Sequence, residues 1–173
     1  MPRNLELKAR VVSAGEAARH AAKLHARKKA FLRHVDTYFD VPAGRLKLRE
    51  TDGSSAELIR YERPDRRGAR YSDYSVVPVR GAKEIKEVLT RLYGVRVVVK
   101  KTRTLYLYEN ARIHLDRVQR LGTFVEFEVL VTRGKQQARR LMNELVRAFR
   151  IPSSAIRPDS YSDILSRQKK RTR

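Results

Sequence analysis

Two glutamates in the last third of the chain, Glu126 and Glu128, have the spacing of side chains that share one face of a β-strand. The apolar residues Val125, Phe127 and Val129 alternate with them and fall on the opposite face. Two neighbouring carboxylates repel each other unless a cation lies between them. The pair therefore indicates a site that holds a positively charged group.

The same alternation of charged and apolar residues recurs in three other segments. Their charged or polar phases are Asn4, Glu6, Lys8 and Arg10; Arg45, Lys47 and Arg49; and Arg112, His114 and Asp116. A face in bulk water has no reason to keep acids in phase with so many basic residues. A site for metal-bound phosphates, in contrast, needs both signs of charge. The four segments together predict such a site, built from several strands.

The composition favours a polyanionic partner. The 173 residues include 40 Lys and Arg but only 19 Asp and Glu, which gives a formal net charge of +21. Such an excess indicates nucleic acid, a phosphorylated small molecule or an acidic membrane surface as the partner. Composition does not choose among these three classes.

Several classes of protein are excluded by what the chain lacks. Without cysteine, there are no disulfides, thiolate metal ligands or cysteine nucleophiles. No apolar run approaches the length of about 18 residues that spans a bilayer, and the N-terminus lacks the layout of a signal peptide. We therefore expect a soluble, cytoplasmic protein that makes no membrane contact. The basic C-terminal residues leave a nuclear location open.

Periodicity predicts eight strands and four helices. We expect strands at residues 3–12, 34–40, 45–50, 56–63, 71–79, 95–105, 107–118 and 123–132. We expect helices at residues 14–33, 81–94, 134–149 and 160–166, the first opened by a capping box from Ser13 to Glu16. Residues 1–166 would form one domain, followed by a basic, disordered tail at 167–173.

Two arrangements of these strands are open. In a two-layer sandwich, the charged faces would simply be solvated. Alternatively, eight antiparallel strands close into a barrel, with the apolar phase turned outward beneath the helices and the charged phase inward. Unpaired cations in such an interior cost several kcal/mol each, so that a polyanion or water must fill it. We favour the second arrangement, an α+β fold with a closed eight-stranded antiparallel barrel.

The opening Asn-Leu-Glu-Leu-Lys-Ala-Arg resembles the Glu-x-Glu-x-Lys motif of the CYTH superfamily, also called triphosphate tunnel metalloenzymes. Weaker matches follow in order: HVDTYFDVPAGRLKLRE at 34–50, ELIRYERPD at 57–65, VVVKKTRTLYL at 97–107, ARIHLDRV at 111–118, LGTFVEFEV at 121–129 and Tyr161-Ser162-Asp163. The superfamily includes class IV adenylyl cyclases and thiamine and inorganic triphosphatases. The resemblance implies an antiparallel eight-stranded tunnel with helices outside.

The resemblance also implies roles for individual residues. Glu126 and Glu128 would bind Mg²⁺ or Mn²⁺, with contributions from Glu6 and Asp116. Lys8 would belong to the catalytic end, near Glu6. The side chains that would hold the triphosphate oxygens are Lys47, Arg49, Arg63, Lys101, Arg103 and Arg112. Hard oxygen ligands suit Mg²⁺, and Arg grips phosphate through two hydrogen bonds.

One position departs from the superfamily pattern. The first glutamate of the motif is Asn4 here, which offers a carbonyl oxygen but no charge. The superfamily's cyclases also tend to carry a His-Phe pair ahead of the motif, where this chain has only Met1-Pro2-Arg3. We therefore predict hydrolysis of an inorganic or organic triphosphate, with an adenylyl cyclase as the alternative.

A binding protein with weak or no turnover is the second alternative, because Asn4 lacks the charge of the superfamily's glutamate. Its ligand would be polyphosphate or nucleic acid, and RNA or polyphosphate would contact the basic surface. A homodimer is also compatible with the sequence. Tyr38 and Tyr61 would pack in strands or line the tunnel, and His114 would line it or make a structural hydrogen bond. Tyr161 and Asp163 would dock the C-terminal helix.

Overall fold

The computed structural model describes residues 3–62 and 68–171 and contains all eight expected strands. The strands are β1 (Arg3–Arg10), β2 (Arg27–Phe39), β3 (Arg45–Thr51), β4 (Ser55–Glu62), β5 (Arg70–Val79), β6 (Val95–Tyr108), β7 (Ala111–Val118) and β8 (Gly122–Leu130). The helices are α1 (Ala14–Lys23), α2 (Ala82–Tyr93), α3 (Lys135–Ala148) and α4 (Tyr161–Arg171), with a 3-10 turn at Ser153–Ala155.

The strands form a closed antiparallel barrel in the order β1-β5-β4-β3-β2-β6-β7-β8. β1 closes it, because its first half pairs with β5 and its whole length pairs with β8. The predicted closed barrel of an α+β fold is therefore confirmed, and the two-layer sandwich is wrong. Closure leaves no edge strand at which another chain could add.

The apolar phase of β1, β7 and β8 faces outward, beneath α1 and α3. Leu5, Ile113 and Phe127 are almost fully buried there, where they pack with Ala17 of α1 and Leu145 of α3. Burial of a large apolar side chain contributes about 1.5 to 3 kcal/mol, so this outer core stabilises the barrel wall. The charged residues that alternate with these side chains must then point into the barrel.

Two other helices complete the fold. α2 packs against β2 and β3, where Ile85 and Leu89 contact a small core around Phe39 and Leu48. α4 packs mainly on β6 and places Leu165 among inward-facing apolar residues at one end of the barrel. No helix in the described ranges is long and apolar enough to cross a membrane.

The first helix is shorter than predicted. It ends at Lys23 rather than near Arg33, because Leu24 caps it and His25 adopts a left-handed backbone with φ of 55°. The following residues belong to β2, which starts at Arg27 and pairs with β6 along its whole length. The predicted cap is correct at its first position, where Ser13 Oγ accepts a hydrogen bond from the Glu16 backbone N–H.

The last helix is longer than predicted. α4 extends from Tyr161 to Arg171, into the segment that we expected to be a basic tail. It begins with a capping box, since Ser160 N–H donates to Asp163 Oδ2 and Asp163 N–H donates to Ser160 Oγ. Asp163 also accepts from Arg45 at 2.9 Å, which ties the helix to β3. The expected docking role of Asp163 is therefore seen directly.

Candidate active site

The barrel interior contains a cavity of about 240 Å³ with a strongly charged lining. Among the residues that the structure describes, six cations and four carboxylates line it. They are Lys8, Lys47, Arg49, Lys101, Arg103 and Arg112, with Glu6, Glu57, Glu126 and Glu128. Five of the six predicted triphosphate-binding residues are thus together in one cavity. The sixth, Arg63, lies outside the described residues.

Strand register explains why the acidic groups converge. Glu6 of β1 lies directly opposite Glu128 of β8, and Lys8 lies opposite Glu126. On the other side of β8, Arg112 is paired with Glu128 and His114 with Glu126. Like charges that face each other across two strands are destabilising without a cation between them. Arg112 lies 3.7 Å from Glu128 and compensates part of this repulsion.

Three described residues offer potential metal ligands within 4.8 Å of one another: His114, Glu126 and Glu128. Nδ1 of His114 lies 3.7 Å from Glu128 Oε1 and 4.0 Å from Glu126 Oε2. Burial raises the pKa of Glu126, but Lys8, His114 and Arg103 hold it well below its usual range. Glu126 is consequently ionised at neutral pH and able to act as a ligand. The donor set of two carboxylates and an imidazole fits a divalent cation.

Asp36 holds one group of the tunnel cations. It is fully buried on β2, and its carboxylate accepts two hydrogen bonds of 2.7 Å from Arg49 and one of 3.0 Å from Lys47. Burial raises the pKa of Asp36, but Arg49 and Lys47 bring it well below the usual value. Asp36 thus fixes the orientation of both cations toward the cavity. Our sequence analysis did not single out Asp36, although His34, Asp36 and Tyr38 share one phase.

Asp116 has the corresponding role on β7. Both of its oxygens accept 2.7 Å hydrogen bonds from Arg103, Lys101 lies 3.5 Å away, and the hydroxyl of Tyr161 donates at 3.0 Å. Asp116 is fully buried and lies behind the cavity lining. These contacts favour a role for Asp116 in positioning Arg103 and Lys101. The part of Asp116 in a metal site stays a prediction.

Burial changes the protonation of two further side chains. Burial and the nearby Arg103 lower the pKa of Lys101 to about 7, although Asp116 opposes the change. Burial together with Arg49 lowers the pKa of His34 to about 3, so that His34 is neutral at physiological pH. The charge of Lys101 therefore changes near neutrality.

The aromatic residues of the site have mixed roles. Tyr38, Tyr61 and Tyr161 all line the cavity. The ring of Tyr161 lies 4.0 Å from Lys8 Nζ and also packs edge-on against Phe124. Tyr161 thus docks α4, as predicted, and also contacts Lys8, which we did not predict. Its position directly after the capping residue Ser160 was the available signal.

Asn4 lies inside the cavity, where the superfamily motif has its first glutamate. Its side chain is buried, and Oδ1 has no hydrogen-bond partner among the described residues. An unpaired buried carbonyl oxygen costs about 1 to 3 kcal/mol, so this position favours a ligand that donates a hydrogen bond or a positive charge. Asn4 therefore remains part of the site despite the lost charge.

The CYTH domain family profile matches residues 2–155, and the chain therefore belongs to the CYTH domain family. This finding agrees with the fold, since an eight-stranded barrel with an interior of mixed charge was expected from the resemblance. No curated protein sequence matches the chain significantly.

Solved structures share the fold along nearly the whole chain. The PH1012 protein of Pyrococcus horikoshii OT3 is 24% identical with a TM-score of 0.84, and the alignment covers 92% of this chain and 98% of that one. A "putative adenylate cyclase" from Vibrio parahaemolyticus is 20% identical with a TM-score of 0.75, covering 94% and 97%.

A third structural relative comes from Hippeastrum. This "putative adenylyl cyclase" is described as having a dominant triphosphatase activity. It is 14% identical to the present chain with a TM-score of 0.69, and the alignment covers 98% of this chain and 96% of that one. At these levels of sequence identity, the three structural similarities establish the fold but not the reaction.

Proposed function

We propose that this protein is a metal-dependent triphosphatase that holds its substrate in the barrel interior. The observation that carries the proposal is that carboxylates and basic side chains line one cavity together. Glu6, Glu126 and Glu128 meet on β1 and β8, close to Lys8, while most of the other Lys and Arg side chains of the lining lie on β3, β6 and β7. A triphosphate with a bound divalent cation presents both charges to such a surface, and hydrolysis needs no protein nucleophile.

The basic residues would bind and orient the phosphate oxygens. Arg49 and Arg103 each use Nε and one terminal nitrogen on an aspartate, which leaves the other terminal nitrogen for an anion. Their geometry is set before the substrate arrives, so little side-chain entropy is lost on binding. Lys47, Lys101 and Arg112 would add charge along the same wall, and the prediction for Arg63 stands.

The acidic end would hold Mg²⁺ or Mn²⁺ through Glu126 and Glu128, with Glu6 beside them. A divalent ion held there would supply Lewis-acid stabilisation of the charge that develops on transferring phosphoryl oxygens. Lys8, whose Nζ lies 3.8 Å from Glu126 Oε1, would keep that carboxylate oriented and face the reacting phosphate. The groups of this chain thus bind, orient and neutralise. Water attacks the terminal phosphorus, the bond from that phosphorus to the bridging oxygen breaks, and the rest of the phosphate chain leaves with the bridging oxygen.

Phosphate release tests the proposal directly. Inorganic triphosphate, ATP, thiamine triphosphate and a 5′-triphosphate RNA would each be incubated with the protein in Mg²⁺ and in Mn²⁺. We expect orthophosphate or diphosphate from at least one of them, and a loss on the order of 10²-fold in kcat for Glu126→Gln and for Glu128→Gln. Glu87→Gln, at an exposed position of α2, is the matched control and should keep full activity.

The products also separate the alternatives. Cyclic AMP with pyrophosphate from ATP would identify an adenylyl cyclase and overturn the triphosphatase. Tight, salt-sensitive binding of triphosphate without turnover in either metal would identify a binding protein, which the neutral Asn4 in the cavity favours. Unchanged rates in the Glu126 and Glu128 variants would remove both residues from metal binding.

The outer surface supports contact with a longer polyanion. Arg33, Lys100 and Arg117 are exposed around a shallow depression of about 560 Å³ on β2, β6 and β7. No carboxylate belongs to the described lining of this depression. RNA or polyphosphate bound there would be held mainly by its phosphates. Comparison of RNA with and without a 5′-triphosphate tests this contact. A homodimer and a cytoplasmic location remain predictions.

A further inference from the structure

We propose that His114 is a nitrogen ligand of the divalent cation, so that the site prefers Mn²⁺ and heavier first-row ions to Mg²⁺. This inference rests on the proposed function, because it deepens the metal site and names its third ligand. The resemblance assigned only carboxylates to the metal. In this chain, an imidazole lies among them, and its Nδ1 has no hydrogen-bond partner among the described residues.

His114 lies beside both carboxylates in the wall of the barrel. It faces inward on β7 and is paired in register with Glu126 of β8, one row from Arg112 and Glu128. Only 5% of its side chain is exposed. Nδ1 has no hydrogen-bond partner among the described residues, although buried polar atoms are normally satisfied. The unsatisfied atom points toward the two carboxylates.

The three potential ligand atoms are separated by distances that suit a shared cation. Nδ1 of His114 is 3.7 Å from Glu128 Oε1 and 4.0 Å from Glu126 Oε2, which is too far for a hydrogen bond. Two ligands that are each about 2.1 Å from one ion lie roughly 3 to 4.2 Å apart, depending on the angle between them. The observed distances fall within that range. The space between Nδ1 and the two carboxylate oxygens therefore fits a cation and is too wide for a hydrogen bond.

The other inward-facing side chains of β7 already have interaction partners in the cavity wall. Asp116 is bound by Arg103, Lys101 and Tyr161, and Arg112 is itself a cation. His114 is thus the group of β7 with an available ligand atom. With Asn4 in place of a carboxylate on β1, the imidazole supplies a donor without adding negative charge.

The nature of that donor determines the selectivity. Mg²⁺ is a hard ion that prefers oxygen ligands, whereas imidazole nitrogen favours first-row transition ions, with affinity rising from Mn²⁺ toward Ni²⁺. A site of one nitrogen and two carboxylates should bind Mn²⁺ at least tenfold more tightly than Mg²⁺. Mn²⁺ is also the useful probe, because its unpaired electrons report on the nuclei of its ligands.

The test is metal binding in the absence of turnover. The full chain, labelled with ¹⁵N-histidine, is titrated with Mn²⁺ and followed by electron paramagnetic resonance, alone and with an imidotriphosphate, and Mg²⁺ is then added as competitor. We expect a ¹⁵N hyperfine coupling on the bound Mn²⁺ in the unmodified protein. His114→Ala should abolish the coupling and weaken Mn²⁺ binding at least tenfold. His20→Ala, on α1 outside the cavity, should change neither.

A second variant separates ligation from folding. His114→Asp keeps a ligand but removes the nitrogen, so it should retain Mg²⁺ binding, lose the coupling and lose the preference for Mn²⁺. Bound Mn²⁺ without any ¹⁵N coupling would overturn the role of His114 and leave the carboxylate site intact. Absence of Mn²⁺ binding with and without imidotriphosphate would overturn both this inference and the metal dependence of the proposed function.

Discussion

Two buried aspartates organise the cations of the cavity at the residue scale. Asp36 and Asp116 each bind an arginine through two hydrogen bonds and lie close to a lysine. We expected the interior cations to require a polyanion or water in the barrel, and instead the protein supplies much of the charge compensation itself. Buried ion pairs of this kind add little net stability but become costly when one partner is removed.

Removal of the Asp36 charge should therefore destabilise the protein strongly. In Asp36→Asn, Arg49 and Lys47 lose their carboxylate, and we expect the free energy of unfolding at pH 7 to fall by about 3 to 5 kcal/mol. Urea unfolding between pH 3 and pH 8 measures this value. Asp73→Asn breaks only an exposed pair with Arg3 and serves as the control.

The pH dependence of that difference follows from the lowered pKa of Asp36. A carboxyl group whose pKa is lower in the folded protein contributes its full stability above its unfolded pKa, near 4. The contribution is lost as the pH falls through the folded value. The deficit of Asp36→Asn should thus be constant from pH 8 to pH 5 and shrink below about pH 4. An equal deficit at pH 3 and pH 7 would contradict the assigned protonation.

Lys101 should make anion binding depend on pH near neutrality. Because burial and Arg103 lower its pKa to about 7, Lys101 is charged below that pH and neutral above it. An arginine at this position stays charged throughout. Relative to Lys101→Arg, the metal-free affinity of the unmodified protein for imidotriphosphate should fall about tenfold between pH 6 and pH 8. Calorimetric titration measures the ratio, and a constant ratio would show that Lys101 remains charged.

Alternation of charged and apolar side chains pointed to several cavity residues, whereas Asp36, which orients two of the cavity cations, lies in a segment without that pattern. Glu6, Lys47 and Glu128 belong to such alternating segments and lie in the cavity. Asp36 is surrounded by aromatic and β-branched residues, so its segment looked like ordinary packing. Its partnership with Arg49 depends on the register of β2 against β3, which no local pattern specifies.

At the scale of elements, the boundary between α1 and β2 shows how tertiary pairing overrides propensity. The Lys-, Arg- and Ala-rich residues after Lys23 favour a helix locally. They form a strand because β6, at 14 residues, offers a long partner for β2. The helix ends at Lys23, and His25 just beyond it has a positive φ, a conformation for which glycine is the usual signal. Neither feature is visible in the local sequence.

α4 should be a stabilising element that closes one end of the barrel. Leu165 is only 7% exposed, among inward-facing residues that include Val99 and Phe124. Leu165→Ala should lower the free energy of unfolding by about 2 to 4 kcal/mol and speed amide exchange in α4. Leu92→Ala on α2, where the side chain is 67% exposed, should change stability by less than about 0.5 kcal/mol. Equal effects would contradict the docking of α4.

At the scale of the whole molecule, two kinds of charge behave differently. The net charge of +21 is spread over the surface and destabilises the compact state by self-repulsion, which salt screens. The charges of the cavity are largely paired and removed from water, and salt screens them much less.

Closure of the barrel was predictable from the count of strands and their alternation. The paired interior was not, because it depends on contacts between strands distant in sequence.

This distinction predicts two separable increases in thermal stability. Sodium chloride should raise the Tm of the protein at low ionic strength by screening the surface. Tripolyphosphate at matched ionic strength should raise it further, because a ligand that binds only the folded state at 100 times its Kd adds about 2.7 kcal/mol. Differential scanning calorimetry in the two salts measures the additional increment.

Two matched variants test whether the additional rise in Tm with tripolyphosphate comes from binding in the cavity. Arg112 lies at the cavity wall, where its side chain is 36% exposed, so that Arg112→Ala would remove a predicted phosphate contact together with the pairing to Glu128. Arg33→Ala removes the same charge from the exposed outer face. Both variants should respond to sodium chloride alike, but Arg112→Ala should lose most of the tripolyphosphate increment while Arg33→Ala retains it. Equal losses would show that tripolyphosphate stabilises the protein through its surface, and the cavity would no longer be required as the anion site.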